Sequence, residues 1–310
     1  MQRKTSAEQQ GKNGYWFILP FFVFFLVFQV YPIFYSLYLS FTSFDGFKNP
    51  KWIGFANYER LFSKDLWGDS ARFLLSYINT WRIWLPNIVS QLTLAFLTAV
   101  ILTNVRLRIK GVGVFRAVFY FPNLVTAASI AILFALLMDW QYGAVNQLIF
   151  GANKANYINW TGSSGTLFQL LISGIQTWMW FGNTMIIIMA GLTSIPQALL
   201  EAAWVDGAST SKTFFKVTLP LLRPIMVYIV ITSLIGGMQI FDIPFVITTP
   251  PGSAGPEYSM LTAMIYTYDQ AFTNNQYGYA AALSYIQFLL IAIFSALYFR
   301  SMRRQEQGVA

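Results

Sequence analysis

Long apolar stretches, separated by shorter polar segments, account for most of this sequence. A helix needs roughly 20 predominantly apolar residues to cross the hydrocarbon core of a bilayer. Six stretches reach this length, at about residues 15–40, 77–103, 114–138, 167–192, 224–246 and 278–298. The pattern therefore predicts an all-α integral membrane protein, with a polytopic bundle of six helices forming one transmembrane domain over residues 15–300.

The first stretch lies close to the N-terminus, where a cleavable signal peptide would also be found. The apolar region of a signal peptide is only about 7 to 15 residues long and is followed by small residues at the cleavage site. The stretch at 15–40 is longer, and no such site follows it. We therefore expect a retained span, preceded by a short tail at residues 1–14.

Lysine and arginine concentrate in alternate connecting segments and in both tails. Since these residues accumulate on the cytoplasmic side, we expect a multi-pass protein of a bacterial-type inner membrane with tails 1–14 and 301–310 in the cytoplasm. The first external loop carries both signs of charge and is long enough to be translocated. The cations of the predicted cytoplasmic side are Arg3, Lys4, Lys12, Arg106, Arg108, Lys110, Lys212, Lys216, Arg223, Arg300, Arg303 and Arg304.

Composition agrees with a membrane protein and excludes several kinds of chemistry. Charged residues make up 10% of the chain and hydrophobic residues 56%, whereas a soluble domain carries about 25% charged residues. The net charge of +8 matches the cationic cytoplasmic segments better than nucleic-acid binding. Cysteine and histidine are absent, so thiolate metal sites and the usual general base are missing. We expect no catalytic, cofactor-binding or metal site.

Residues 194–222, between the fourth and fifth stretches, are too polar to span the membrane and too apolar for a plain linker. They predict a helix-turn-helix on the cytoplasmic side. Pro196 suits the first turn of a helix with Thr193 or Ser194 near its cap, and Gly207 can adopt the left-handed conformation that ends it. The apolar stripe of this helix consists of Leu199, Leu200, Ala203 and Trp204.

A second short helix is expected to start at Ser209 or Thr210 and to stop at Pro220. Phe214, Phe215 and Leu219 lie on one side of it. From the residues alone, two interpretations stay open. The hairpin either docks in a groove of another protein or lies on lipid headgroups as an amphipathic element.

The segment resembles the "EAA" loop of binding-protein-dependent ABC importers. The matching residues are Glu201-Ala202-Ala203, Asp206-Gly207-Ala208, Phe214 or Phe215, Leu219-Pro220 and Pro224. In that family the loop forms coupling helices that sit in a cleft of the ATP-binding subunit. The resemblance implies that ATP and Mg²⁺ bind a partner ATPase, not this chain, and that the coupling residues are Glu201, Ala202, Ala203, Asp206, Gly207, Ala208 and Phe215. Asp206 either caps the second helix or pairs with Lys212.

Other motifs resemble the carbohydrate-uptake branch that includes the membrane subunits of the maltose and glycerol-phosphate importers. Phe55-Ala56-Asn57-Tyr58 is similar to the branch's "GLxNY" element, with Phe55 where Leu is usual. Further similar segments are 239–245, 266–268, 271–272 and 278–282. The resemblance implies a type I importer fold and a permease of the first-subunit type for a sugar, with an oligosaccharide favoured. The implied partners are a second permease, two ATP-binding cassette subunits and an extracytoplasmic solute-binding protein.

Polar side chains near mid-membrane are costly unless they face a cavity or each other. Gln176, Trp180 and Asn183 fall on one face of the fourth stretch at positions i, i+4 and i+7. Amides, carboxylates and aromatic faces are the groups that recognise sugars. The expected substrate path comprises Gln176, Trp180, Asn183, Gly236, Gln239, Asp242, Tyr285 and Gln287. Plain hydrogen bonding between helices stays open as the alternative.

Two alternatives to a sugar importer remain. An ion-coupled secondary transporter needs intramembrane ionisable residues, and the only candidates are Asp139 and Asp242, both near outer ends of spans. An importer of this kind with a non-sugar substrate, such as a glycerol phosphate, would share the same motifs. A channel would not need the helix-turn-helix at residues 194–222.

Overall fold

The computed structural model describes residues 15–68, 71–104, 107–151 and 153–307, with side chains up to residue 302. The predicted tail at 1–14, Arg106 and the side chains of Arg303 and Arg304 lie outside the described residues. Within the described part the regular secondary structure is helical apart from one antiparallel ladder of two short strands. The all-α fold class is confirmed.

The helices are numbered in chain order, and several are joined by short stretches of wider or tighter turns. The helices are α1 (Tyr15–Ser40), α2 (Ala56–Arg60), α3 (Arg72–Thr103), α4 (Val112–Leu124), α5 (Ala127–Leu137), α6 (Ala144–Phe150), α7 (Gly165–Ser194), α8 (Gln197–Val205), α9 (Thr210–Thr213), α10 (Arg223–Met238), α11 (Asp242–Ile247), α12 (Ala263–Tyr268) and α13 (Tyr277–Gln307). The strands are β1 (Thr42–Ser43) and β2 (Lys51–Trp52). The chain forms two compact units, Met1–Ser70 with Thr267–Phe288, and Ala71–Tyr266 with Leu289–Ala310.

Among the described residues, four helical segments are long and apolar enough to cross a membrane, and the number rises to six if each of two bent helix pairs is one span. The four are α1, α3, α10 together with α11, and α13 up to Met302. They coincide with the first, second, fifth and sixth predicted stretches. The bent pairs are α4 with α5 and α7 with α8.

The third predicted stretch, at 114–138, is not a straight helix, because α4 and α5 meet at an angle of 92°. Val125 and Thr126 have extended backbones with ψ of 141° and 142°. The Thr126 hydroxyl accepts a hydrogen bond from the backbone N–H of Ser129 at 3.3 Å, which caps the start of α5. Val125 thus ends α4 and Thr126 begins α5. Because the residues on both sides are apolar, hydropathy alone does not predict this break.

The second unit is organised around the contact between α3 and α7. Ile83 and Ile88 of α3 share a buried cluster with Ile172, Ile175 and Met179 of α7. The α7 positions recur at helical spacing, so they present one continuous face to α3. Polar residues of α7 that neighbour this apolar face therefore lie at the edge of the α3–α7 contact.

Polar side chains also connect α3 to α7. Ser173 donates a hydrogen bond from Oγ to the carbonyl oxygen of Ile83 at 2.7 Å. Gln169 donates from Nε2 to Asn79 Oδ1 at 3.0 Å and to the carbonyl oxygen of Ser259 at 2.9 Å. These side chains are buried, and bonds between helices satisfy them where no water is present.

Helix α4 approaches α7 closely at Gly182. A Cβ atom on this glycine would lie 1.9 Å from the carbonyl oxygen of Phe119, which belongs to the backbone of α4. A side chain therefore does not fit without separating the two helices. Gly174, on the same helix α7, has open space around its Cβ position.

In the first unit, the motif Phe55–Tyr58 forms hydrogen bonds to the segment at the end of α1. Asn57 donates from Nδ2 to the carbonyl oxygens of Ser40 at 2.8 Å and Thr42 at 2.9 Å. The Tyr58 hydroxyl donates to Ser40 Oγ at 2.8 Å. The motif thus satisfies carbonyl groups at the end of α1, where a helix leaves its last acceptors unpaired.

An ionic and aromatic cluster joins two further parts of the first unit. Arg60 donates from Nη1 to Gln276 Oε1 at 2.6 Å, and its guanidinium lies 4.0 Å from the centre of the Tyr279 ring. Asp65 accepts a hydrogen bond from the Tyr279 hydroxyl and lies 3.8 Å from Arg60 Nε.

In the loop before β2, backbone N–H groups of Lys48 and Phe47 hold the pKa of the Asp45 carboxyl below its ordinary value.

We expect Gly182→Ala to lower the free energy of unfolding by about 1–3 kcal/mol, because the added methyl group meets backbone that cannot rotate away. Gly174→Ala in the same helix should leave stability unchanged or raise it slightly. Thermal unfolding of the two purified variants in detergent compares them directly. Equal midpoints for both variants would show that the α4–α7 contact is not as close as described.

We expect Asn57→Asp to destabilise the segment after α1 by about 2–3 kcal/mol, because a carboxylate replaces a donor that serves two buried carbonyl groups. Tyr58→Phe, which loses a single hydroxyl hydrogen bond, should cost about 1 kcal/mol. Limited proteolysis of residues 41–68 measures the local opening. Cleavage of Asn57→Asp no faster than that of Tyr58→Phe would contradict this role.

Candidate functional site

The chain bends between α7 and α8 at Ile195 and Pro196, by 65°. Pro196 is the N-cap residue of α8, and no side chain caps this helix. The expectation of a cap at Thr193 or Ser194 was wrong. Their hydroxyls instead bond back to carbonyl oxygens of α7, those of Met189 and Gly191, which is the competing local option for such residues.

The turn after α8 depends on Gly207, as predicted. Its φ is +75°, in the left-handed region that side chains rarely adopt. The backbone N–H of Ala208 bonds to the carbonyl oxygen of Ala203 at 2.9 Å. This bond and the left-handed residue form a Schellman motif, which closes the C-terminus of α8.

Ser209 begins the second helix of the hairpin. Its Oγ accepts a hydrogen bond from the backbone N–H of Lys212 at 3.3 Å, so Ser209 is the cap, and the expectation that Asp206 caps this helix was wrong. Pro220 does not stop the helix, contrary to the prediction. A wide-turn stretch, Phe214–Thr218, precedes it, and Pro220 lies in the first turn of the next helical stretch, where no N–H is required.

The hairpin presents apolar side chains and a carboxylate on its surface. Val205 is 87% exposed and Phe215 64% exposed, while Phe214 turns inward against Phe96 at a ring distance of 5.6 Å. Glu201 is exposed and accepts a hydrogen bond from Gln197 Nε2 at 2.8 Å. Of the predicted coupling residues, Ala203 and Ala208 are half-buried, and Glu201, Ala202, Asp206, Gly207 and Phe215 are exposed.

A cavity of about 280 Å³ lies within the second unit, between α3, α7 and α10. Six of the eight predicted substrate-path residues line it. They are Gln176, Trp180, Asn183, Gly236, Gln239 and Asp242. Residues that the sequence pattern did not single out complete the polar part of the wall, namely Asn87, Gln91, Thr184, Tyr228, Thr232 and Ser233.

Part of the wall is held by hydrogen bonds between helices. Asn87 donates from Nδ2 to Gln176 Oε1 at 3.4 Å, and Gln91 donates from Nε2 to Thr184 Oγ1 at 2.7 Å. All four side chains are buried. Asn87 and Gln91 lie at i and i+4 in α3, which is the kind of spacing that identified the polar face of α7. The same spacing could therefore have identified Asn87 and Gln91 as lining residues.

Other lining side chains point to the open part of the cavity. Gln239 and Asp242 are exposed and flank the break between α10 and α11, where Phe241 departs from helical geometry. Asn183 lies opposite on α7 and is half-buried. Within the described part of the chain, none of these three side chains has a hydrogen-bond partner, so their polar groups are available to an occupant.

Tyr285 and Gln287 are not among the residues that line this cavity. The Tyr285 hydroxyl donates to the carbonyl oxygen of Ile33 and lies 3.3 Å from Ser36 Oγ. Gln287 is buried, with 5% of its surface exposed. Two positions apart on one helix, the two side chains point in different directions, and the hydrogen bonds of Tyr285 connect α13 to α1.

Asp139, one candidate for an ion-coupling carboxylate, is used in a turn. Its Oδ1 accepts hydrogen bonds from the backbone N–H groups of Tyr142 at 2.7 Å and Gln141 at 3.0 Å. The described residues contain no group of three or more histidine, cysteine, aspartate or glutamate side chains placed to hold a metal ion.

Comparison with known proteins places the chain among transport proteins. Residues 91–309 match the family described as binding-protein-dependent transport system inner membrane component. The chain is 33% identical to the probable ABC transporter permease protein YesP of Bacillus subtilis, over 97% of this chain and 94% of that protein. It is 32% identical to the lactose transport system permease protein LacF of Rhizobium radiobacter, over 83% of each chain.

Solved structures agree on the fold. A chain of a bacterial ABC transporter involved in import of the acidic polysaccharide alginate matches with a TM-score of 0.79 and 21% identity, covering 98% of this chain and 99% of that one. The transporter in complex with an alginate pentasaccharide-bound periplasmic protein gives a TM-score of 0.76 at 19% identity, covering 98% of each chain. The predicted importer-permease fold and the resemblance to this family are thereby confirmed. The chain belongs to the family of inner-membrane components of binding-protein-dependent transport systems.

Proposed function

We propose that this permease carries a sugar, with an oligosaccharide favoured, through the cavity between α3, α7 and α10. The observation that carries the proposal is the set of open polar side chains, Asn183, Gln239 and Asp242, next to the exposed ring of Trp180. Hydroxyl groups of a sugar both donate and accept hydrogen bonds, and amides offer both partners. The apolar face of a sugar ring packs on an aromatic ring.

The names of relatives support a carbohydrate. One, 30% identical over 83% of each chain, is the multiple sugar-binding transport system permease protein MsmF of Streptococcus mutans. The cavity volume of about 280 Å³ is near the lower end of ligand pockets, which span about 300–1,000 Å³. A cavity of this size encloses a small part of a long chain, so an oligosaccharide would pass through it end-on.

The hairpin of α8 and α9 is proposed as the contact with a separate ATPase. Leu199, Trp204, Val205 and Phe215 expose apolar surface on it, and Glu201 adds a carboxylate. Exposed apolar side chains on a short helix suit a groove on a partner protein, and a carboxylate makes directional bonds to arginine or backbone N–H groups. ATP and Mg²⁺ would then bind the partner, and this chain would hold no cofactor.

The remaining partners follow from the same proposal. A second permease would complete the membrane path, two ATP-binding subunits would drive it, and a solute-binding protein would deliver substrate at the external loops. The cationic loops and both tails would face the cytoplasm, which puts the hairpin on the side of the ATPase. Two conformations of the spanning helices would expose the cavity first outward and then inward, as the hairpin follows its partner.

We expect Glu201→Ala and Gly207→Ala each to reduce sugar uptake at least about tenfold while the protein stays in the membrane. The first removes a charged contact with the ATPase, and the second strains the left-handed turn by about 1–2 kcal/mol. Uptake and ATP hydrolysis are measured in vesicles that contain all subunits.

Gly111→Ala is the matched control for Gly207→Ala. Gly111 also has a left-handed φ, +74°, and open space at its Cβ position, but it lies outside the hairpin. Its replacement should introduce the same strain and leave uptake within about twofold of wild type. Normal uptake in both hairpin variants would overturn the coupling role.

Two tryptophans of α7 test the substrate path. Trp180 is 44% exposed and lines the cavity, whereas Trp178 is 40% exposed and packs edge-on against Phe134. We expect Trp180→Leu to lower uptake at limiting substrate by up to about tenfold, because a stacking surface worth about 0.5–1.5 kcal/mol is lost. Trp178→Leu should change uptake little, and equal losses in both variants would contradict the path.

A further inference from the structure

The described lining of the cavity contains a negative charge but no positive one. Asp242 is the one acidic residue among the described residues that line it, and neither lysine nor arginine is among them. The chain as a whole carries 20 Lys and Arg residues and a net charge of +8. Cations are therefore common in this protein, but none lies in the described part of the cavity wall.

We propose that the cavity selects neutral carbohydrates over anionic ones, such as uronic acids and sugar phosphates, and that Asp242 sets this selection. The inference rests on the proposed function, since it names the charge class of the substrate for the same cavity. It also decides against a glycerol phosphate, which shares the anionic chemistry. Asp242 acts as a specificity-determining residue in this proposal.

The position of Asp242 supports this role. It is the first residue of α11, directly after the break in which Gln239 and Phe241 also line the cavity. Its side chain is exposed, and within the described part of the chain it forms neither a hydrogen bond nor an ion pair. The carboxylate therefore lies on the wall of the cavity without a partner among the described residues.

Two physical effects act against an anionic substrate here. An anion entering the cavity loses hydration and finds no cation among the described lining residues to replace it, a cost that amides only partly offset. It also meets the Asp242 carboxylate, and two like charges within ~5 Å in a partly screened site disfavour binding by at least about tenfold. A neutral sugar avoids both effects, and its hydroxyls can donate to the carboxylate.

The related fold does not itself determine charge selection. The structural neighbour is described as importing an acidic polysaccharide, yet it is only 21% identical to this chain. Likeness at that level concerns the backbone, so the side chains of the cavity are free to differ. The preference has to be read from the lining residues of each protein.

Uptake by the complete transporter in vesicles tests the proposal. The probes are neutral di- and trisaccharides and their counterparts in which one primary alcohol is oxidised to a carboxylate. Wild-type protein is compared with Asp242→Asn and with Glu59→Gln, which removes an exposed carboxylate from α2 outside the cavity. The same binding protein serves every variant, so its own preference cancels from the comparison.

We expect the ratio of neutral to acidic uptake to fall about tenfold in Asp242→Asn and to stay unchanged in Glu59→Gln. Asp242→Glu should keep the wild-type ratio, and Asp242→Ser serves as a second neutral variant if the asparagine variant does not reach the membrane. An unchanged ratio in the neutral variant, or equal wild-type uptake of both probes, would overturn the proposal. Absence of uptake for every neutral carbohydrate would instead overturn the proposed function.

Discussion

A polar side chain within a bilayer has no water to bind, so it needs a partner inside the protein. The α3–α7 contact meets this requirement repeatedly along its length, through Gln169, Ser173 and Thr184 on α7. These pairs hold two long helices in register, and the pair of Gln91 with Thr184 lies in the wall of the cavity. Asn183, next to Thr184, has no such partner within the described chain. The surface that we propose for the substrate is therefore the part of the polar face that the helix pair leaves unsatisfied.

Features that depend on local chemistry were predictable from the sequence. The apolar stretches located the spans, because the length of a span is set by the bilayer and not by neighbouring helices. Gly207 was identified as the turn residue, because few other residues adopt its backbone conformation. Gln176 and Asn183 were predicted to share a surface from their spacing on one face of a helix, and Gln239 and Asp242 from their polarity within the fifth apolar stretch; all four line the cavity.

Features that depend on tertiary partners were not predictable in this way. The bend at Val125 and Thr126 interrupts a continuous apolar run, and the cap that starts α5 uses a common threonine. Pro220 was expected to stop a helix. It lies instead in the first turn of a helical stretch that follows the wide turns, where no backbone N–H is required. Tyr285 has the polarity of a path residue and nevertheless bonds to the backbone of α1, because its face of α13 is set by packing that hydropathy does not describe.

The backbone stays helical on both sides of Pro220, and this continuity has a mechanical consequence. From Thr210 to Met238 the backbone is helical, with only Leu222 forming a turn between successive stretches. The exposed ring of Phe215 and the cavity residue Gly236 therefore belong to one nearly unbroken element, about 30 Å apart at the usual rise per residue. A helix resists compression along its axis, so a force applied at the hairpin arrives at the cavity wall without an intervening loop. Under the proposed coupling role of the hairpin, this element would transmit its movement to the break beside Asp242.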